Sequence, residues 1–314
     1  MFVGIAFALA ACFIWGLIFV VPSYMKGFSS MEVVLGRYFF YGVISSLIFF
    51  KSKLQGSCKY PLNIWKKAAV FSFVYTMGYY IFVVLALGYS SPAICALILG
   101  ISPIAIAFYG NFRQREVSFK SLILPSLVIL CGLIIINIPH LLASAAPSSY
   151  FLGLLCSFFA LAAWSWYVVA NSRFLKSHPQ VHSGDWSTLI GVTCLFWVFL
   201  FALVLGLFFK NHFGIEKFLT FTPELKTFLI GSIILGVLCA WVGAFLWNKA
   251  SLRLPVSLAG QLTIFETIFG VIFVYVLQRH MPTLLESIGI GMLLFAVVYG
   301  VRQFAKSNSE ATPL

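Results

Sequence analysis

Along the chain, long apolar runs alternate with short polar ones. Ten of the runs approach the length of about 20 residues that an α-helix needs to cross roughly 30 Å of hydrocarbon. They cover Gly4–Val21, Met31–Phe50, Ala68–Gly88, Ala93–Phe112, Ser121–Pro139, Phe151–Asn171, Trp186–Phe209, Phe228–Trp247, Pro255–Leu277 and Leu284–Val301. Within each run apolar and polar residues do not alternate one by one, so membrane-spanning β-strands do not fit. The longest polar stretches, Lys51–Lys67 and Lys210–Lys226, are too short for a soluble domain. Any chemistry must therefore sit inside a helix bundle or at its mouth.

Composition sharpens this picture. Of 314 residues, 61% are hydrophobic and 9% charged, with a mean hydropathy of +1.03. A soluble protein carries about a quarter charged residues, so the solvent of this chain is lipid. The net charge of +12 could point to nucleic acid, but the cations are spread over short loops. Placing the N-terminus in the cytoplasm puts 14 of the 20 Lys and Arg in inward-facing segments and 6 on the other side. The positive-inside rule then expects both termini inside. The first run opens on Met1-Phe2 without a basic leader, so it reads as a retained helix. Cys12, Cys95, Cys131, Cys156, Cys194 and Cys239 fall within spans and Cys58 in a loop, with no spacing that suggests a metal site or a disulfide framework.

The chain also repeats itself weakly and in order. Gly4, Ala11 and Trp15 match Gly153, Ala160 and Trp164 at a shift of 149, and the stretch from Ala86 to Pro92 matches that from Lys249 to Pro255 at a shift of 163. This predicts an all-α integral membrane protein of ten transmembrane helices in two five-helix repeats, 1–146 and 147–314. Because five is odd, the second repeat enters the bilayer inverted, an arrangement that secondary transporters use to alternate access to a midplane site.

Particular residues carry a family likeness. Ala11, Trp15 and Gly16 in the first span, their echo Ala160, Trp164 and Ser165 in the sixth, Arg37 in the second, and the series Pro92, Pro103, Glu116 around the fourth resemble the drug/metabolite transporter superfamily, EamA type. The likeness covers nearly the whole chain. It implies ten helices, both termini inside, a cavity between the halves, and export of metabolites such as amino acids. Two positions depart from the repeat: Arg279 stands where the first half has Glu116, and Glu266 where it has Pro103. The stretch from Gln261 to Thr267 resembles a bacterial inner-membrane branch of that superfamily.

Among candidate residues Glu266 is the most informative. It lies halfway along the ninth span, where an ionisable side chain costs about 2.5–3.5 kcal/mol even on insertion scales. It shares a helical face with Ala259, Thr263 and Gly270, a small and polar face suited to a cavity. It can bind a coupling proton, or it can brace two helices through Arg37. Arg37 is the other deep charge: it snorkels to the interface, pairs with Glu266, or holds an anionic group of a substrate. Aromatic and amide stripes supply a third set: Trp15, then Tyr75 and Tyr79, then Trp164, Tyr167 and Asn171, then Trp241 and Asn248. These suit either an aromatic-lined substrate site or ordinary packing and interfacial belts. Pro103 predicts a kink in the fourth span and Pro125 one in the fifth, whereas Pro92 and Pro255 suit helix starts. Arg113, Glu116 and Arg279 flank spans and are read as gate salt bridges or as interfacial anchors.

The function these readings support is a secondary transporter of small metabolites in a bacterial inner membrane, with protons and membrane lipids as further partners, as monomer or homodimer, and with no cofactor, metal or nucleic acid. An uncoupled channel or facilitator and a membrane-embedded lipid-modifying enzyme are the alternatives. No Gly-x-x-x-x-Gly-Lys-Ser/Thr sequence is present, which argues against an ATPase. The histidines His140, His178, His182, His212 and His280 offer a poor metal site, since Pro179 interrupts the pair at i,i+4.

Overall fold

The structure is a computed structural model that describes residues 1–54, 60–90, 92–143, 150–208, 215–279 and 281–310. Cys58, His212 and His280 lie outside these residues. Among the described residues ten helices are long and apolar enough to cross a membrane: α1 (Phe2–Tyr24), α2 (Ser30–Leu54), α3 (Leu62–Tyr89), α4 (Cys95–Gln114), α5 (Phe119–Ile138), α6 (Phe151–Ser177), α7 (Ser183–Leu207), α8 (Pro223–Ser251), α9 (Val256–Leu277) and α10 (Leu284–Phe304). Helices α3, α6 and α8 run several residues past the apolar runs. Their ends carry Lys66 and Lys67, Arg173 and Lys176, or Glu224 and Lys226. Hydropathy stops where the hydrocarbon stops, while backbone hydrogen bonding continues into the interface.

Five helices are irregular: α1 tightens to 3-10 geometry over Leu17–Phe19, and the other four fall in matching places. Helix α3 widens to π geometry over Val74–Gly78, and α8 over Ile234–Val242. The helix containing span α4 starts at Pro92 and is built from Pro92–Gly100 and Ser102–Gln114, and that containing α9 runs to Gln278 as Val256–Leu262 and Ile264–Gln278. In α4 the break falls one residue before the Ser102-Pro103 pair. The N–H that Pro103 lacks thus belongs to a first turn, where no intrahelical partner was available. Helix α9 breaks without a proline: the Thr263 hydroxyl instead donates to the Gly260 carbonyl at 2.6 Å. The second pieces end on left-handed residues, Arg115 at φ 50° and Arg279 at φ 51°. Pro125, by contrast, sits inside the unbroken helix Phe119–Ala143.

Each span of the first half packs extensively against one of the second: α2 on α7, α4 on α9, α5 on α10, α3 on α6 and α1 on α8. This set of pairs is unchanged when every helix is replaced by the one five places along, a pattern consistent with the repeat read from the sequence. Small residues allow the close approaches. A Cβ added at Gly132 of α5 would stand 3.0 Å from the Gly289 carbonyl oxygen of α10, so bulk there would force apart two helices that lipid does nothing to press together.

Candidate functional site

The sequence leaves two charged side chains deep within the apolar spans, and the structure brings them to one cavity. Arg37 sits seven residues into α2, about 10 Å along its axis at 1.5 Å per residue. Glu266 follows the break in α9, in the first turn of Ile264–Gln278. Both line a cavity of about 490 Å³, along with Trp15 of α1, Tyr75 and Tyr79 of α3, Pro103 of α4, Trp164 of α6 and Thr263 of α9. Eight of the residues singled out from sequence thus meet in one space.

The two charges face this space without neutralising each other. No ion pair joins Arg37 to Glu266. Arg37 is buried, its guanidinium lies 5.2 Å from the Tyr38 ring, and its Nε finds no acceptor. Stacking on an aromatic face compensates part of the charge, and a buried guanidinium N–H without an acceptor is costly. Glu266 is half-buried in the same lining. An anionic group can therefore meet Arg37 while a cationic group or a proton meets Glu266.

Aromatic rings form the floor and one wall. Trp164 lies 6.0 Å from Tyr75, 5.8 Å from Tyr79 and 6.3 Å from Trp15, all between ring centroids. The Trp15 indole N–H donates to the Cys239 carbonyl at 2.9 Å. That carbonyl belongs to the π-segment of α8, where the wider turn frees backbone groups from the usual ladder. Tyr167 stacks behind Tyr75 at 4.6 Å, so it backs the wall rather than lining the cavity. Tyr38, Tyr80, Asn137 and Thr267 also line the cavity. Tyr38 and Tyr80 adjoin residues already singled out, and Asn137 is an isolated amide in an apolar span; those were the available signals.

Asn171, Asn248 and Trp241 lie elsewhere. At the end of the bundle away from the Met25–Ser29 turn, the Asn171 amide donates to Asn248 Oδ1 at 2.8 Å and accepts from the Trp186 indole at 2.7 Å. The Asn248 amide donates to Ser187 Oγ at 2.9 Å, tying α6, α7 and α8 together beneath the cavity. Trp241 donates to Thr188 Oγ1 at 3.2 Å and stacks on Phe245. Nearby, the Glu116 carboxylate accepts from the backbone N–H of Val256 at 2.6 Å and of Ser257 at 2.7 Å, and from the Ser257 hydroxyl at 2.7 Å. It caps the first turn of α9, where orphan N–H groups and the helix dipole favour a carboxylate. Lys176 closes the same region by donating to the Leu254 carbonyl at 2.8 Å. Arg113 and Arg279 are exposed, Arg113 beside this closed end and Arg279 at the opposite end.

Ten apolar helices paired across two halves define a polytopic α-helical membrane protein. Comparison with known proteins makes the class specific. The EamA-like transporter family matches residues 2–138. Inner membrane protein YtfF of Escherichia coli (strain K12) is 29% identical over 306 residues, 95% of each chain. One crystal structure shares the fold at a TM-score of 0.77 and 17% identity, covering 96% of this chain and 98% of the other. Residues 2–138 are thus similar to the EamA-like transporter family, and the inner-membrane relative together with ten apolar helices supports a multi-pass inner-membrane protein.

Proposed function

We propose that the chain is a secondary carrier that exports a small zwitterionic metabolite of the amino-acid kind by alternating access, coupled to protons through Glu266. The observation that carries this reading is the pair of opposite charges facing one cavity without bridging each other. In this reading a substrate carboxylate binds Arg37 through charge-assisted hydrogen bonds, and its ammonium group binds ionised Glu266. The aromatic wall of Trp164, Tyr75 and Tyr79 takes the side chain. A proton on Glu266 removes the ammonium's partner, so proton and substrate compete for one carboxyl, which is the requirement for exchange.

The closed end supports alternating access. Glu116 on α9, Lys176 on the Leu254 carbonyl, and the Asn171–Asn248 network hold that end shut while the cavity reaches toward the other. Here Glu116 acts as a gate through backbone amides rather than through a salt bridge, and the breaks in α4 and α9 act as hinges. With both termini in the cytoplasm, as the distribution of basic residues favours, the closed end is the cytoplasmic one.

Purified protein in proteoliposomes tests the reading. Saturable uptake of a labelled amino acid, with counterflow on addition of unlabelled amino acid to the other side, is the expected result. Linear, non-saturating flux without counterflow would instead establish a channel. A reporter fused after Lys306 should register cytoplasm and one inserted near Ala145 the outside; the reverse pattern would place the closed end outside.

A further inference from the structure

A second site lies on the outer surface of the bundle, away from the cavity. Helices α9 and α10 are consecutive and joined by a short turn, yet they make little contact with each other along their lengths. Helix α10 packs instead on α5, and the second piece of α9 packs on α1. The two diverge and leave a groove of about 670 Å³ between them, with Ile272 and Val276 on one side and Ile290 and Leu294 on the other. Gly291 lies along the α10 side, and a Cβ placed on it meets no atom within 4 Å. At the turn end of the groove stands Arg279, exposed and held in a left-handed conformation that a non-glycine residue adopts at a cost. Ser287 lines the groove beside it.

We propose that this groove is a binding site for a phospholipid, with one acyl chain between α9 and α10 and the phosphodiester at Arg279. Three observations converge on that occupant. The groove walls are apolar and belong to the parts of both helices that are apolar enough to lie in hydrocarbon, so the adjoining solvent is acyl chain. The cation sits just past the last residue of the α9 span, Leu277, the depth at which headgroups lie. The Arg279 guanidinium is matched in charge and fork geometry to a phosphate. Glu286, in the first turn of α10, accepts from the backbone N–H and hydroxyl of Thr283. The chain alone gains little over bulk lipid, because hydrocarbon is equally available outside the groove. Retention therefore depends on Arg279, and filling the groove should expel the lipid. The site lies on the back of the helix piece whose other face carries Glu266 and Thr267 to the cavity.

The test uses the full-length protein released from nanodiscs of phosphatidylethanolamine and phosphatidylglycerol, with native mass spectrometry counting the lipids that survive mild activation. One phospholipid should remain on the unaltered protein. Arg279→Gln and Gly291→Leu should each lower that adduct at least fivefold, with helix content and monomer mass preserved. Gly291→Leu keeps the test decisive if Arg279→Gln fails to fold, since it enters open space. Equal retention in both variants, or no adduct on the unaltered protein, overturns the proposal. Loss with Gly291→Leu but not with Arg279→Gln overturns the headgroup assignment. A dimer that Gly291→Leu dissociates would assign the groove to a second copy of the chain and overturn the lipid reading as well.

Discussion

The two ends of the bundle use the same chemical groups to opposite effect. In the cavity, a guanidinium has no acceptor for its Nε and a carboxyl has no ion-pair partner. At the closed end, a carboxylate accepts three short hydrogen bonds, and two buried amides are bonded to each other, to an indole and to a hydroxyl, although Trp247 Nε1 and Ser251 Oγ beside them have no partner. A satisfied buried polar group fixes the position of its helices. An unsatisfied one stores a demand that only a ligand, a proton or water can meet. The contrast teaches that polarity inside a membrane bundle does not by itself mark a binding site. What marks it is polarity left unanswered beside open volume.

The comparison breaks most sharply at Glu266. Glu266→Gln keeps the shape and fixes the neutral state, so flux driven by a pH gradient should fall at least tenfold while substrate exchange at equal pH persists, both read in proteoliposomes. Unchanged pH-driven flux would end the proton role. If the residue only braces Arg37, the substitution destabilises the protein, and a second change of Arg37 to a neutral residue restores both stability and flux.

Arg37→Gln comes next. Hydrogen bonds to charged groups contribute about 1.5–3 kcal/mol, so substrate affinity should weaken by roughly 10- to 100-fold. Thermal stability without substrate should hold or rise, since an incompletely compensated buried cation has been removed. A large stability loss without a change in affinity would make Arg37 a structural residue.

Asn171→Leu should show the opposite division. It strips a partner from both Trp186 and Asn248, which predicts a loss of about 1–3 kcal/mol in unliganded stability, with little direct change in affinity. Thermal denaturation in detergent followed by ligand titration separates the two. A loss of affinity with stability intact would bring Asn171 back into substrate contact.

The smallest effect is expected at Glu116. Glu116→Ala removes a helix cap, worth about 0.5–2 kcal/mol, and should shift the population toward opening at the now-closed end. Faster labelling of a cysteine placed at Ser257 reports that shift. No change in labelling would make the cap a local feature of α9 and not a gate.

Part of this contrast could be read without any structure. Glu266 stood out because the cost of a charge at mid-span depends on depth alone, and depth can be counted along one helix. Trp15, Tyr75, Tyr79 and Trp164 were found as aromatic stripes, and the structure lines the cavity with them. The same reasoning put Asn171, Asn248 and Trp241 on equivalent stripes, and those stripes face other helices. Helical periodicity says which residues share a face but not what covers that face.

The sequence by itself determined the ten apolar spans, because hydropathy and helix length are local properties of a continuous segment. It also determined the weak repeat and the positions of the two deep charges. Only the tertiary structure decided that Arg37 and Glu266 share a cavity without touching. It alone decided that Glu116 caps a helix 140 residues away, and that α9 and α10 diverge although they are neighbours in the chain. Each of these depends on which faces of distant helices meet. In lipid that choice rests on close packing at small residues and on hydrogen bonds between helices, not on a hydrophobic pattern that could be read in advance.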